Sequence, residues 1–408
     1  MRILCVCQYF WPESFRVNDM CLGLKAEGHD VTVLTGIPNY PAGRFYDGYG
    51  LLKNRHQEWK GIHIMRVPLI PRFRSTAAQL LLNYLSFMIL ASCRALTFIG
   101  QKKKYDVILV YQLSPVTMAI PAILLKKMLG LPLVLYVLDL WPDNLRANRA
   151  TNNSRVIKLF SFISMFIYRQ CDSILASSRG FIDQLAARGI KPERLMYFPQ
   201  WADGGLSGDA KVKEAFAFKP DAFHIVFTGN IGDSQDFDTI INAAELVSEH
   251  RKIHWVIIGD GRKRSWLAEQ VAERRLEENF HLLGRKPIES MPFYYEKADA
   301  LLVSLVDDAV VSLTLPAKVQ SYLVSGKPII AALRGEGAAI IKEAGAGISC
   351  CPGDPKALAD AILQLYNLSA EARRTMGEKG RVYAREYFSR RKLLDQLQGV
   401  LHKVVLAR

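Results

Sequence analysis

Phe223-His224-Ile225-Val226-Phe227-Thr228-Gly229-Asn230-Ile231-Gly232 is a short apolar run of high strand propensity that ends in a glycine turn. The chain opens in a similar way, with Arg2-Ile3-Leu4-Cys5-Val6-Cys7 leading into Gln8-Tyr9-Phe10-Trp11-Pro12. Each run begins a series of short strands, so the same construction is started twice. In the first half the apolar runs predict strands at 2–7, 31–35, 62–67, 106–111, 132–138, 173–176 and 195–198. In the second they predict strands at 223–228, 253–258, 279–283, 299–305, 328–332 and 347–350. Their apolarity is continuous rather than alternating, as in parallel sheets covered on both faces. Helical stretches fall between them, at 17–27, 79–101, 117–129, 154–170 and 179–188, then at 236–249, 263–275, 288–297, 316–325, 336–344 and 355–367. This β-then-α order predicts an α/β protein with two doubly wound, Rossmann-like domains and right-handed connections. Ligands are expected at the carboxyl ends of the strands, in a cleft shared by the two sheets.

The first domain is predicted over 1–200 and the second over 222–385. Between them, residues 201–221 lose the rhythm and read as a linker. A terminal helix is expected over 386–408, with Leu393, Leu394, Leu397, Val400 and Leu401 at helical spacing, packing back across the first domain.

Charge separates the halves. Residues 1–200 carry 25 Lys and Arg against 12 Asp and Glu, whereas residues 201–408 carry 28 against 27. An anionic surface met by the first domain alone fits this asymmetry. Nucleic acid is not expected, because the basic excess lacks aromatic interleaving or a known module. The seven cysteines form no C-x-x-C pair and no zinc spacing, which fits a reducing cytosol. No secretory signal is read at the amino terminus, where the apolar stretch is short and meets Trp11-Pro12-Glu13.

The stretch Gln79 to Gln101 gathers Gln79, Asn83, Ser86, Arg94, Thr97 and Gln101 into one narrow sector of a helical wheel, and the rest is almost wholly apolar. Arg72 and Arg74 precede it and Lys102-Lys103-Lys104 follow. Two readings stay open: a core helix with a wet stripe, or a helix partly sunk in an anionic membrane through residues 72–104. A spanning helix is not expected, since Arg94 lies within it.

Three consecutive strands of the second domain end in glycine turns with polar or cationic neighbours: Gly229-Asn230-Ile231-Gly232, Gly259-Asp260-Gly261-Arg262 and Gly284-Arg285-Lys286. Small residues at such turns let backbone N–H groups approach a phosphate. The loop after the first strand, Gln8 to Arg16, holds no glycine, which argues against a nicotinamide cofactor.

The ordered series Thr228-Gly229-Asn230-Ile231-Gly232, Ile258-Gly259-Asp260-Gly261, Leu283-Gly284-Arg285, Pro316-Ala317-Lys318 and Ser325-Gly326-Lys327-Pro328 resembles the retaining glycosyltransferases of family four. In the first domain, Gln8 through Asp19, Thr35-Gly36-Ile37-Pro38-Asn39-Tyr40-Pro41 and Asp139-Leu140-Trp141-Pro142-Asp143 resemble a bacterial subgroup that builds O-antigen and capsule, N-acetyl-L-fucosamine transferases among them. The resemblance implies a GT-B fold. It also implies a hexosyltransferase that moves a sugar, with retention, from a UDP-linked donor to a lipid-diphosphate-linked acceptor during lipopolysaccharide or capsule synthesis. Such an enzyme would work at the cytoplasmic face of the membrane, with no metal and no cofactor. The alternatives are a catalytically inert docking partner and a sugar-nucleotide epimerase on the same scaffold.

The resemblance also distributes roles. Asp139 is expected to orient the acceptor hydroxyl, with Asp143 in reserve and helix capping as the alternative. Glu13, Arg16, Gly229, Asn230, Gly232, Gly259, Gly261, Arg262, Lys318, Ser321 and Glu336 are expected at the donor. Departures are visible too. Asn230 and Asp236 stand where many relatives have diphosphate-binding cations, Leu313 and Ser321 stand where they have paired glutamates, and Leu138 stands where they have a histidine. Lys318 is therefore the first candidate for the missing cation, followed by Arg262 and Arg16. Ser321, Gln320 or Glu336 would serve the ribose.

Overall fold

A computed structural model describes residues 1–74, 76–98, 104–147, 153–202 and 216–407. Gln101, Lys102, Lys103 and most of the expected linker lie outside the described residues. The chain divides into two compact units, residues 1–198 with 393–408, and residues 199–392.

The first unit contains β1 (Arg2–Val6), α1 (Arg16–Ala26), β2 (Asp30–Gly36), β3 (His56–Trp59), β4 (Ile62–Val67), α2 (Ala77–Leu96), β5 (Val107–Gln112), α3 (Ile120–Leu129), β6 (Leu133–Val137), α4 (Asp143–Ala147), α5 (Ser154–Gln170), β7 (Ser173–Ala176), α6 (Arg179–Ala187) and β8 (Leu195–Tyr197). They form one sheet in the order β3-β4-β2-β1-β5-β6-β7-β8. All neighbours are parallel except the edge hairpin β3–β4. Strand β3, His56-Gln57-Glu58-Trp59, is polar and half exposed, and its apolar content is too low to announce a strand.

The second unit contains β9 (Phe223–Thr228), α7 (Phe237–Leu246), β10 (Ile253–Ile258), α8 (Arg264–Glu273), β11 (Phe280–Gly284), α9 (Met291–Lys297), β12 (Ala300–Ser304), α10 (Ala317–Ser325), β13 (Ile329–Ala332), α11 (Glu336–Glu343), β14 (Gly347–Cys350), α12 (Pro355–Tyr366) and α13 (Ala370–Tyr387). Its sheet is wholly parallel, ordered β11-β10-β9-β12-β13-β14. Alternate residues of one strand enter different cores. Phe223, Ile225 and Phe227 of β9 pack with Trp255, Phe237 and Ile362, while Val226 packs on the opposite face with Val256, Tyr322 and Ile340. Both faces are dry, which is why the strand sequences are apolar without a break.

The terminal helix begins at Arg390 rather than at 386, and a further helix precedes it. α13 ends at Tyr387 and α14 spans Arg390–Leu406, with Phe388 and Ser389 between them. Residues 393–408 belong to the first unit: Gln398 meets His29 Nε2 at 3.0 Å, and Gln396 donates to the Tyr197 carbonyl at 2.9 Å.

Helix α2 starts at a capping box. The Gln79 N–H donates to Thr76 Oγ1, and the Thr76 N–H donates back to Gln79 Oε1. Its inward stripe is Asn83, Phe87, Ala91 and Ala95. The polar stripe is therefore not a wet face at its centre, because Asn83 is wholly buried. Leu81, Leu82, Leu85, Ile89, Leu90 and Leu96 point outward instead, and Ile89 is 52% exposed.

Candidate active site

In the second unit the loops that follow β9 and β10 are laced together. Gly229 N–H donates to the Ile258 carbonyl, Ile231 N–H to Asp260, Lys263 N–H to Ile231, and Gly259 N–H to Gly284 at the end of β11. Glycine permits this closeness. At Gly259, φ is +155° and a Cβ would stand 1.7 Å from the Gly229 carbonyl oxygen; at Gly261 it would stand 2.3 Å from that of Ile231. These two glycines therefore serve the packing of loop on loop.

Gly229 serves a side chain. Its φ is +138°, and the place of its absent Cβ is taken by Lys318, whose Cε and Nζ would lie 2.6 and 2.9 Å from it. Lys318 comes from the first turn of α10, where Pro316 is the extended N-cap. Its ammonium sits 3.7 Å from the centre of the Phe227 ring. No carboxylate or other acceptor bonds it among the described residues. Burial lowers its pKa from 10.5 to about 7. The start of a helix also disfavours a cation, so only the ring favours one there. A half-buried cation with no counter-ion among the described residues, placed on a bare glycine Cα, suits an arriving anion.

The other expected donor residues divide. Ser321 is half-buried on α10, three residues after Lys318 and so on its face. Gly337 packs on Pro316 and Val319, which brings buried Glu336, first residue of α11, beside the start of α10. Gly232 and Asn230 are in contact, and Asn230 Nδ2 reaches Gln235 Oε1 at 3.4 Å. Arg262 is 88% exposed and pairs with Asp233 at 3.1 Å, on the rim rather than beside Lys318. Gln320 is buried and donates to the Gln200 carbonyl, which removes it from ribose binding. The sequence reading missed the support beneath Lys318. Tyr322, four residues on, accepts the Thr228 N–H at 3.0 Å, and Tyr295 bonds Thr228 Oγ1 at 2.9 Å, so two buried phenols fix the end of β9.

In the first unit Asp139 follows β6. Ser114 Oγ donates to its Oδ2 at 2.6 Å and accepts from Asn144 Nδ2 and Trp141 Nε1. Gln112 Nε2 holds its carbonyl at 2.9 Å. Burial raises the Asp139 pKa while the Ser114 bonds pull it down. A carboxyl oriented by Ser114 and raised in basicity can take a hydroxyl proton. Asp143 is engaged differently, in a 2.6 Å ion pair with Arg188. That pairing leaves Asp139 as the candidate of the two.

Glu13 is buried. Its Oε1 accepts the N–H groups of Asn39 and Tyr40 at 2.8 and 2.7 Å, which ties the loop after β1 to the loop after β2, while Oε2 has no hydrogen-bond partner among the described residues. Burial raises its pKa to about 7 against those bonds. Arg16 opens α1 and acts electrostatically on the Tyr111 and Tyr136 phenols, and Asp139 acts on Tyr111 as well. Arg16 thus lies near the carboxyl ends of β5 and β6.

Two sequence families match these units. Residues 14–201 match the family described as Glycosyl transferase 4-like domain, and residues 222–368 match Glycosyl transferases group 1. The chain belongs to the GT-B glycosyltransferases. The transferase is 28% identical to a Pseudomonas aeruginosa protein described as a probable glycosyltransferase, WbjE, over 72% of this chain and 74% of that one. It is 24% identical to WcaI of Escherichia coli K12, a glycosyl transferase assigned to colanic acid biosynthesis, over 96% of both. In fold it matches sucrose-phosphate synthase of Thermosynechococcus elongatus, with a TM-score of 0.73, 15% identity and full coverage of both chains. It also matches Anabaena HepE in complex with UDP, with a TM-score of 0.72, 14% identity and coverage of 99% and 100%.

Proposed function

We propose that the transferase moves a sugar from a UDP-linked donor to a lipid-diphosphate-linked acceptor, with retention at the anomeric carbon, in the assembly of a bacterial surface polysaccharide. The observation that carries this reading is Lys318, an uncompensated ammonium held on the bare Cα of Gly229 at the strand ends of the second unit. Departure of a nucleoside diphosphate concentrates negative charge on its phosphate oxygens, and a preorganised cation stabilises that charge. Lys318 supplies it, and the diphosphate in turn raises the lysine's pKa so that it is charged while the bond breaks. Asp139, oriented by Ser114, takes up the proton of the acceptor hydroxyl. The HepE complex with UDP supports the nucleotide, and the assignment of WcaI to colanic acid supports the product class.

The membrane supplies the acceptor in this reading. The outward leucines of α2 are joined by Leu159, Phe162 and Phe166 of α5, and both helices pack against α3. Arg155, Lys158 and Lys127 accompany them, Lys127 lying 5.7 Å from the Phe166 ring. Apolar side chains fringed by cations suit an anionic bilayer surface.

A panel of UDP-, GDP- and dTDP-sugars, beginning with UDP-N-acetyl-L-fucosamine, tests the proposal with lipid-linked acceptors. Extension of the glycolipid with retained configuration is expected. UDP binding without transfer to any acceptor would favour an inert docking partner, in line with Leu313 and Ser321 at the glutamate positions. Conversion of the donor in the absence of acceptor would indicate an epimerase.

A further inference from the structure

Arg72, between β4 and α2, is a cation without a counter-ion among the described residues. Its guanidinium carbon lies 5.1 Å from the centre of the Tyr40 ring and 5.8 Å from that of Tyr9. Its Nε is buried and has no acceptor, and no carboxylate pairs with it among the described residues. The base of the residue is fixed. Its backbone N–H donates to Asn39 Oδ1 at 3.2 Å, and that amide is met by Asn83, which Gln8 holds at 2.8 Å. Aromatic faces stabilise the cation and leave its N–H fork uncommitted, the geometry that captures phosphate oxygens in pairs.

The neighbourhood of Arg72 indicates which phosphate. Burial raises the pKa of the Tyr84 phenol, while Arg72 draws it down and Asp139 pushes it up, so both charges act on one ring. On the other side, Ile70 and Phe73 are exposed beside it, and the outward leucines of α2 begin at Leu81. Arg72 therefore stands where an apolar surface meets the carboxyl that receives the acceptor hydroxyl. A ligand with an alkyl tail, an anionic joint and a sugar would place those parts in this order. We propose that Arg72 binds the diphosphate of the lipid-linked acceptor, with Tyr9 and Tyr40 as its cradle. This rests on the reading of the enzyme as a lipid-linked sugar transferase and adds the acceptor's anionic subsite to it.

The test uses the full-length protein and phosphatidylcholine vesicles doped either with a polyprenyl diphosphate or, to equal charge, with phosphatidylglycerol. Wild type should prefer the diphosphate vesicles. Arg72→Gln should lose that preference by roughly ten- to a hundredfold, the weight of hydrogen bonds to a charged group, and bind UDP unchanged in calorimetry. Arg72→Lys, which keeps the charge without the fork, should fall between. Equal binding to both vesicle types by wild type overturns the proposal, as does a preference that survives Arg72→Gln. Where Arg72→Gln does not fold, Arg72→Lys decides: a wild-type melting temperature with undiminished diphosphate affinity overturns it. An Arg72-dependent preference in a wild type that fails to bind UDP sinks the donor reading and leaves this one. UDP binding with no diphosphate preference does the reverse.

Discussion

Lys318→Met exchanges the half-buried ammonium for an uncharged chain of similar volume, and it should make the free enzyme more stable while disabling it. Burial brings the lysine from 10.5 to about 7. Between those values the unfolded chain holds a proton that the fold does not, so stability rises with pH across this window and the penalty is complete below pH 7. At pH 8 the penalty spans roughly 2.5 pH units, or about 3 kcal/mol, an upper value because the Phe227 ring offsets part of it. Removing it should raise the melting temperature of the second unit by roughly 6–12 °C. The gain should be larger at pH 7 and nearly gone by pH 10. Scanning calorimetry of the free protein at the three pH values reads this directly. Titration calorimetry with UDP in buffers of different ionisation heat reads the rest. Wild type at pH 8 should take up close to one proton on binding, and Lys318→Met should bind roughly ten- to a hundredfold more weakly. A variant less stable than wild type at pH 8, or UDP binding with no proton uptake, would refute the reasoning.

Gly259→Ala places a methyl group 1.7 Å from the Gly229 carbonyl at a φ of +155°; a loss of about 3 kcal/mol or more is expected in urea unfolding, with UDP binding lost. Asp139→Asn should leave UDP affinity intact and slow transfer by about a hundredfold or more in steady-state assays. Glu13 has a native pKa near 7 against 4.5, so the fold holds its proton longer than the unfolded chain does. Stability of the first unit should fall by up to about 3 kcal/mol from pH 5 to pH 8, and Glu13→Gln should flatten that slope. Leu82→Asp with Phe162→Asp removes two exposed apolar side chains; flotation with anionic vesicles should drop by a factor of about ten or more while UDP binding is kept.

The sheets were legible because their strands are buried on both faces, so each is a continuous apolar run that no helix period imitates. β3 was not, since His56-Gln57-Glu58-Trp59 lies at an edge and is held by its hairpin with β4 rather than by its own composition. The end of α2 was placed too far along, because apolar content continues past Leu96 while Thr97 already caps the helix. The terminal helix, expected from 386, begins at Arg390, because Phe388-Ser389 between α13 and α14 contains neither glycine nor proline to mark the boundary. At the candidate site, the glycines drew notice as residue types, but their separate duties did not. Gly259 makes room for a carbonyl and Gly229 for a lysine that is 89 residues away in sequence. The cradle of Arg72 is more distant still from any local signal, since Tyr9, Tyr40 and Arg72 come from three different loops. Such contacts follow from how the loops converge once the sheet has formed, and no short window of sequence contains them.

The central claim is that the second unit grips a nucleoside diphosphate through Lys318. A crystal structure of the enzyme with UDP tests it most directly. The account predicts phosphate oxygens at about 2.8 Å from Lys318 Nζ, above the bare Cα of Gly229. A diphosphate seated elsewhere, with Lys318 still resting on the Phe227 ring and touching no phosphate, would contradict it.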